Sequence, residues 1–183
     1  MKKYEIIMTD PPWQQKKGNL RKCRPNQTKS LSYPTMTMKE IKETHRKIFD
    51  KYANKKHNVF MWTIDKFLLD TEKMMNELGY TLHCRFIWNK ENGVAPAFTV
   101  RFSHEYLLWF YKKGNILMTC SEIKGKYTTV FSEKATKHSK KPVFAYEMLE
   151  KMFPCSAKLE IFAREKRVGW DTWGNEVEND IDI

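Results

Sequence analysis

Tyr4-Glu5-Ile6-Ile7-Met8-Thr9-Asp10-Pro11-Pro12-Trp13 is the stretch on which the fold turns. Its apolar half is short and dense enough for a strand buried on both sides, and Asp10 with two prolines stops it abruptly. A buried strand of that kind belongs inside an α/β sheet rather than at the edge of a sandwich. Two successive prolines fix two φ angles and remove two backbone donors. The carbonyls of Asp10 and Pro11, with the Asp10 carboxylate, are therefore expected to form a rigid set of acceptors. An exocyclic amine, which offers two hydrogens, is the matching target. Trp13 supplies a flat face for a stacked base, worth roughly 1–3 kcal/mol.

Outward from that corner, Gln14 to Pro34 reads as a long loop, with Gly18, Pro25 and Pro34 among polar residues. Loops of this length in a compact domain usually carry function. Thr37 and Glu40 have the spacing of a capping box and predict a helix over Met38–Tyr52. Asn58–Ile64 follows as a strand, and Asp65–Leu78 as an amphipathic helix that buries Phe67, Leu68, Met74, Met75 and Leu78 before Gly79 stops it. Thr81–Asn89 and His104–Lys112 are two more strands. Pro142–Phe153 is a helix with proline in its first turn, and Lys158–Arg164 a last strand. Alternating strands and helices predict a mostly parallel sheet with helices on both faces. Ligands then bind beyond the carboxyl ends of the strands, where Asp10 and Arg164 both fall. Residues 1–183 are expected to form one domain, with no internal repeat.

The composition narrows the function. Apolar residues make up 41% and aromatic residues 14%, which excludes a disordered chain. No run of eighteen apolar residues predicts a membrane span, and the short apolar start, cut by Asp10, is no secretory signal. An intracellular protein is expected. Cys23, Cys84, Cys120 and Cys155 are too scattered for a zinc site and are read as reduced thiols. The formal charge of +11 suggests an anionic partner. Basic residues concentrate in two loops. Gln14 to Ser32 holds six Lys or Arg, among them Lys16, Lys17, Arg21 and Lys22, and no acid. The loop over 132–141 carries four lysines, whereas the tail over 176–183 is acidic.

Along nearly its whole length the chain resembles the MT-A type family of adenine-N6 methyltransferases. That family includes the catalytic subunit of the eukaryotic mRNA adenosine methyltransferase. The resemblance runs through Asp10-Pro11-Pro12-Trp13, Ser32-Tyr33-Pro34-Thr35-Met36, Phe60-Met61-Trp62 and Phe86-Ile87-Trp88-Asn89-Lys90. It continues at His104-Glu105-Tyr106-Leu107-Leu108, His138-Ser139-Lys140-Lys141-Pro142, Leu159-Glu160-Ile161-Phe162-Ala163-Arg164 and Gly169-Trp170-Asp171-Thr172-Trp173-Gly174-Asn175-Glu176. It implies a Rossmann-like, S-adenosylmethionine-dependent fold with permuted motif order, the catalytic motif first. It also implies that Asp10 touches the cofactor as well as the target amine. Lys141 would hold the cofactor carboxylate, Arg164 and Asn175 the ribose, and Glu176 the adenosine. The two basic loops would flank the active site and contact phosphates, with Tyr33 lining the pocket. A glycine-rich Phe-x-Gly loop is missing, as is common in this family.

The chain is close to a bare catalytic domain, like bacterial and phage members, which favours DNA over RNA as substrate. A homodimer or a partner subunit is compatible with such a chain. The rival readings are an inactive nucleic-acid-binding partner subunit and a small-molecule amino-methyltransferase. The first is countered by retention of Asp10, Trp13, Lys141, Arg164 and Asn175, the second by the basic loops. Trp62, Trp88 and Phe86 are read as core. His104 and Glu105 are assigned to a structural polar network, with a pocket role for Glu105 as the alternative.

Overall fold

The computed structural model describes residues 1–14, 34–91, 100, 102–136 and 140–183. Strand β1, Tyr4–Thr9, lies inside a seven-stranded sheet of order β5-β3-β4-β2-β1-β6-β7. It pairs in parallel with β2, Ala53–Thr63, and with β6, Lys158–Ile161. With neighbours on both edges and apolar cores on both faces, its near-continuous apolar sequence is what burial requires. Strand β3, Thr81–Asn89, and β4, His104–Tyr111, form an antiparallel pair, and β4 also runs antiparallel to β2. Six strands thus share one direction and β4 alone is reversed. The outermost strands, β5 (Val130–Ser132) and β7 (Asp171–Trp173), have three residues each and were not anticipated from the sequence. Segments that short have no readable period; they are strands because their neighbours offer a free edge.

Helix α1, Met38–Tyr52, has the expected bounds. The Thr37 hydroxyl accepts from the Glu40 N–H at 3.3 Å, and the Glu40 carboxylate accepts from the Thr37 N–H at 2.7 Å. Helix α2, Leu68–Glu77, is shorter than predicted, because Asp65–Phe67 form a 3₁₀ turn and Phe67 leaves helical geometry. Helix α3, Val143–Met152, begins after Pro142. Its first two amides, those of Val143 and Phe144, donate to the Glu133 carboxylate at 2.9 and 2.8 Å, an acidic cap suited to a helix N-terminus. Strand β2 starts five residues earlier than expected. Strand β6 stops three residues earlier, because Phe162 turns into the left-handed region with φ of 63°.

Helices cover both faces, as predicted. One core joins Ile7, Ile41, Phe49, Met61 and Met75 under α1 and α2, and the other joins Met8, Trp62, Trp88, Met148 and Leu149 under α3. Trp62, Trp88 and Phe86 are core residues, as the sequence suggested. Among the described residues no helix is long and apolar enough to cross a membrane.

Candidate active site

The carboxyl ends of β1, β2 and β6 meet at the Asp10 turn. The Asp10 amide donates to the Ile161 carbonyl at 3.4 Å, which extends the β1–β6 ladder by one long bond. Beyond it the chain folds on itself: the Trp13 N–H donates to the Pro11 carbonyl at 2.9 Å, and the Met36 N–H to the Pro12 carbonyl at 2.9 Å. This modifies one expectation. The Pro11 oxygen is not free, since the turn's own Trp13 occupies one of its lone pairs. No described residue donates to the Asp10 carbonyl, so it and the Asp10 carboxylate are the acceptors this corner offers.

Trp13 also differs from expectation. The residue is 7% exposed, and its ring stacks on Phe67 with centroids 5.3 Å apart and planes at 18°. It packs into the α1–α2 core, and its Nε1 has no hydrogen-bond partner among the described residues. In this conformation the indole anchors the turn and presents no open face to a base.

The Asp10 side chain meets the opposite core. Lys141, just before α3, places its Nζ 3.0 Å from Asp10 Oδ1 and 2.9 Å from Glu105 Oε2. The second oxygen of Glu105 pairs with Lys90. The hairpin register sets Glu105 opposite Trp88, so a polar residue at the start of β4 comes beside one at the end of β3. The result is a mostly buried chain of alternating charge, Asp10–Lys141–Glu105–Lys90. The Lys141 ammonium lies 5.3 Å from the centre of the Trp62 ring and that of Lys90 lies 5.4 Å from Trp88, each within cation–π range.

Burial pushes the Asp10 carboxyl above its usual range against the pull of Lys141, and the Glu105 charge adds to the rise. Burial also works against charge on Glu105, but Lys141 and Lys90 outweigh it and hold Glu105 below its usual range. Lys141 is likewise opposed by burial, yet Asp10 and Glu105 hold it firmly ammonium.

A third carboxylate completes the cluster. Glu160 pairs with Met8 across the β1–β6 ladder and accepts from the Tyr146 hydroxyl at 2.8 Å. Burial pushes its pKa up to about 7; the Tyr146 bond opposes the rise and the Asp10 charge adds to it. On the far side of β6, Arg164 Nη1 lies 3.8 Å from Glu176 Oε1. Gly174 makes that approach feasible, because a Cβ there would come 2.1 Å from the Ala163 carbonyl oxygen. Asn175 and Glu176 follow this contact and are exposed.

The fold therefore brings Asp10 and Lys141 into contact and sets Arg164 beside Glu176. Tyr33, Lys16, Lys17, Arg21 and Lys22 lie outside the described residues. Lys90 and Glu160 were missed as site residues, and Glu105 was read chiefly as structural. The signal for Glu160 was present: an acid between Leu159 and Ile161 in a buried strand has to serve something. Lys90 and Glu105 become partners only through the hairpin register.

A mixed sheet with helices on both faces and an Asp-Pro-Pro-Trp turn at the end of its first strand defines a methyltransferase of the Rossmann-like class. The chain belongs to the MT-A70 family, whose model matches residues 4–176. It is 28% identical over 197 residues to the type II methyltransferase M.MunI from Mycoplasma sp, covering 100% of this chain and 82% of that protein. It is 25% identical over 186 residues to an N(6)-adenosine-methyltransferase MT-A70-like protein of Medicago truncatula, covering 96% of this chain and 26% of the plant protein.

Proposed function

We propose that this chain forms a single catalytic domain that transfers a methyl group from S-adenosylmethionine to the exocyclic N6 amine of adenine in nucleic acid, with DNA favoured over RNA. The observation that carries the reading is the Asp10 corner: a main-chain carbonyl to which no described residue donates, and a carboxylate of the same residue, backed by the buried Lys141–Glu105–Lys90 chain. DNA is favoured because the relative matched over 82% of its own length is a type II methyltransferase. We also propose that the active assembly is a homodimer or includes a partner subunit, which would enlarge the surface offered to the nucleic acid.

The residues fit the cofactor. Asp10 and Glu105 share Lys141, and the Glu160 carboxylate, close enough to Asp10 for the two charges to oppose each other, adds an acceptor suited to a cationic group. S-adenosylmethionine would supply an electrophilic methyl on a sulfonium, together with an ammonium and a carboxylate. Lys141 is suited to the carboxylate, and Asp10 and Glu160 to the cationic groups. Arg164 and Asn175 offer donors to the ribose, and Glu176 acceptors to the adenosine.

The amine nitrogen of adenine is a poor nucleophile, because its lone pair is delocalised into the ring. When the Asp10 carbonyl and carboxylate hold its two hydrogens, the nitrogen becomes more pyramidal and its lone pair is freed for in-line attack. Positive charge develops on that nitrogen, and fixed acceptors stabilise it without reorganising. The alkylated nitrogen then sheds a proton. The Asp10 carboxylate, raised by burial, is placed to accept it and pass it to solvent. A base reached in this way is unpaired or flipped out of its helix.

The test is incubation with labelled S-adenosylmethionine and matched DNA and RNA oligonucleotides, followed by nucleoside analysis. N6-methyladenine in the DNA is expected, and label on another base or in RNA alone would overturn the assignment. Asp10→Ala should abolish transfer with the fold intact, and near-normal turnover in that variant would refute its role.

A further inference from the structure

We infer that Thr9 and His45 form a positioning pair, which holds the Asp10 turn and the Phe162–Arg164 exit from β6 in fixed relation; this rests on the methyl-transfer reading above. Both side chains are fully buried, and Thr9 Oγ1 lies 2.9 Å from His45 Nε2. The other ring nitrogen, Nδ1, is 2.7 Å from the Ile41 carbonyl one turn earlier in α1. A carbonyl only accepts, so Nδ1 carries the hydrogen. The Nε2 of the neutral ring is then an acceptor, and the Thr9 hydroxyl donates to it. Burial depresses the His45 pKa to about 4, against the bond to Ile41, so the ring stays neutral in this tautomer.

The ring also touches the cofactor side of the site. It packs between Phe49, with centroids 5.3 Å apart, and Phe162, at 5.7 Å. Phe162 has a φ of 63°, a conformation a bulky residue keeps only when its surroundings hold it. Phe162 packs in turn on Trp173 at 5.4 Å. One imidazole thus connects three segments: α1, the residue before Asp10, and the residue two before Arg164. An apolar pair would fill the same space. Two directed hydrogen bonds fix the angle of the β1 terminus as well, and that angle aims the Asp10 carbonyl.

The test compares Thr9→Val, which keeps the volume and removes the hydroxyl, with Thr9→Ser, which keeps the hydroxyl. For Thr9→Val we expect kcat to fall about 10- to 100-fold, the scale set by small misplacements of reacting groups. KM for S-adenosylmethionine and for duplex DNA should stay within about threefold, because Thr9→Val leaves the His45–Phe162 packing and the Asp10–Lys141 ion pair in place. Thr9→Ser should recover most of kcat. An unchanged kcat in Thr9→Val, or a loss that Thr9→Ser does not restore, overturns the inference. Nitrogen-15 chemical shifts of His45 in the wild-type protein give a readout independent of both activity and variant folding. The Nδ1–H tautomer is expected, and the Nε2–H tautomer overturns the pair. If the wild-type chain methylates no nucleic acid, the functional reading alone fails, and the pair is judged by the tautomer.

Discussion

Lys141→Met tests the charge chain most directly. Methionine keeps an unbranched stem against Trp62 and removes only the ammonium. At about 3 Å and an effective dielectric near 20, each of the two ion contacts has a gross Coulomb attraction of about 5 kcal/mol. Desolvation of a lysine whose side chain is 12% exposed cancels much of this. The net effect of removing one partner from a buried pair is roughly 3–5 kcal/mol. In a chain of this size that lowers Tm by about 6–20 °C. The loss falls mostly on Asp10, because Glu105 keeps Lys90.

The pH dependence separates lost charge pairing from lost packing. In the wild-type protein Glu105 is held below its usual range, so its contribution is present above the ordinary carboxylate pKa and lost as pH falls through the depressed value. Lys141 is held above its usual range, so its contribution is complete below the ordinary lysine pKa and lost as pH rises through the raised one. Without the ammonium, the Asp10 carboxyl rises further and is more readily neutralised by a proton. The Tm gap between wild type and Lys141→Met should therefore be widest near neutral pH. It should narrow both towards about pH 4, in the ordinary carboxylate range, and above about pH 10. Calorimetric scans across that span measure it. A gap independent of pH would mean that lost packing, not lost pairing, destabilises the variant, and the charge-chain argument would fail.

Glu160→Gln should remove a pH slope of the opposite sense. The Glu160 pKa is raised to about 7, so its contribution is complete below the ordinary carboxylate range and disappears as pH rises through about 7. Urea titrations should show the variant gaining on wild type between pH 5 and 8, and parallel pH profiles would refute the assignment. Replacing Lys16, Lys17, Arg21 and Lys22 together with alanine should weaken duplex binding and reduce the salt slope of the binding constant by up to about 3.6. Fluorescence anisotropy of a labelled duplex at several salt concentrations checks this, and an unchanged slope takes that loop out of the interface.

What could be read in advance follows from where periodicity holds. The apolar run of β1 and the capping box at Thr37 are local signals, and both elements appear where those signals put them. The three-residue strands β5 and β7 were invisible, because so short a segment is a strand only by virtue of its neighbour. Lys90 follows the end of β3 and Glu105 lies on β4, and residues 90–103 between the two strands are too long a link for turn chemistry to fix the register. The direction of Trp13 was unreadable for a related reason. Side chains alternate along a strand, but the alternation ends where two prolines impose their own backbone angles.

The face that Trp13 takes gives the prolines a mechanical purpose. Its indole is anchored in the α1–α2 core, while the Asp10 carboxylate, three residues earlier, meets Lys141 on the α3 side. The turn therefore spans the end of the sheet, held by packing on one side and by charge on the other. A flexible linker between those two anchors would let Asp10 wander even with both in place. Two fixed φ angles, together with the bond from Trp13 back to Pro11, turn the buried indole into a constraint on where the Asp10 oxygens point. On this account the tryptophan aims the acceptors through its packing, which its buried, stacked position permits and an open base-stacking role would not.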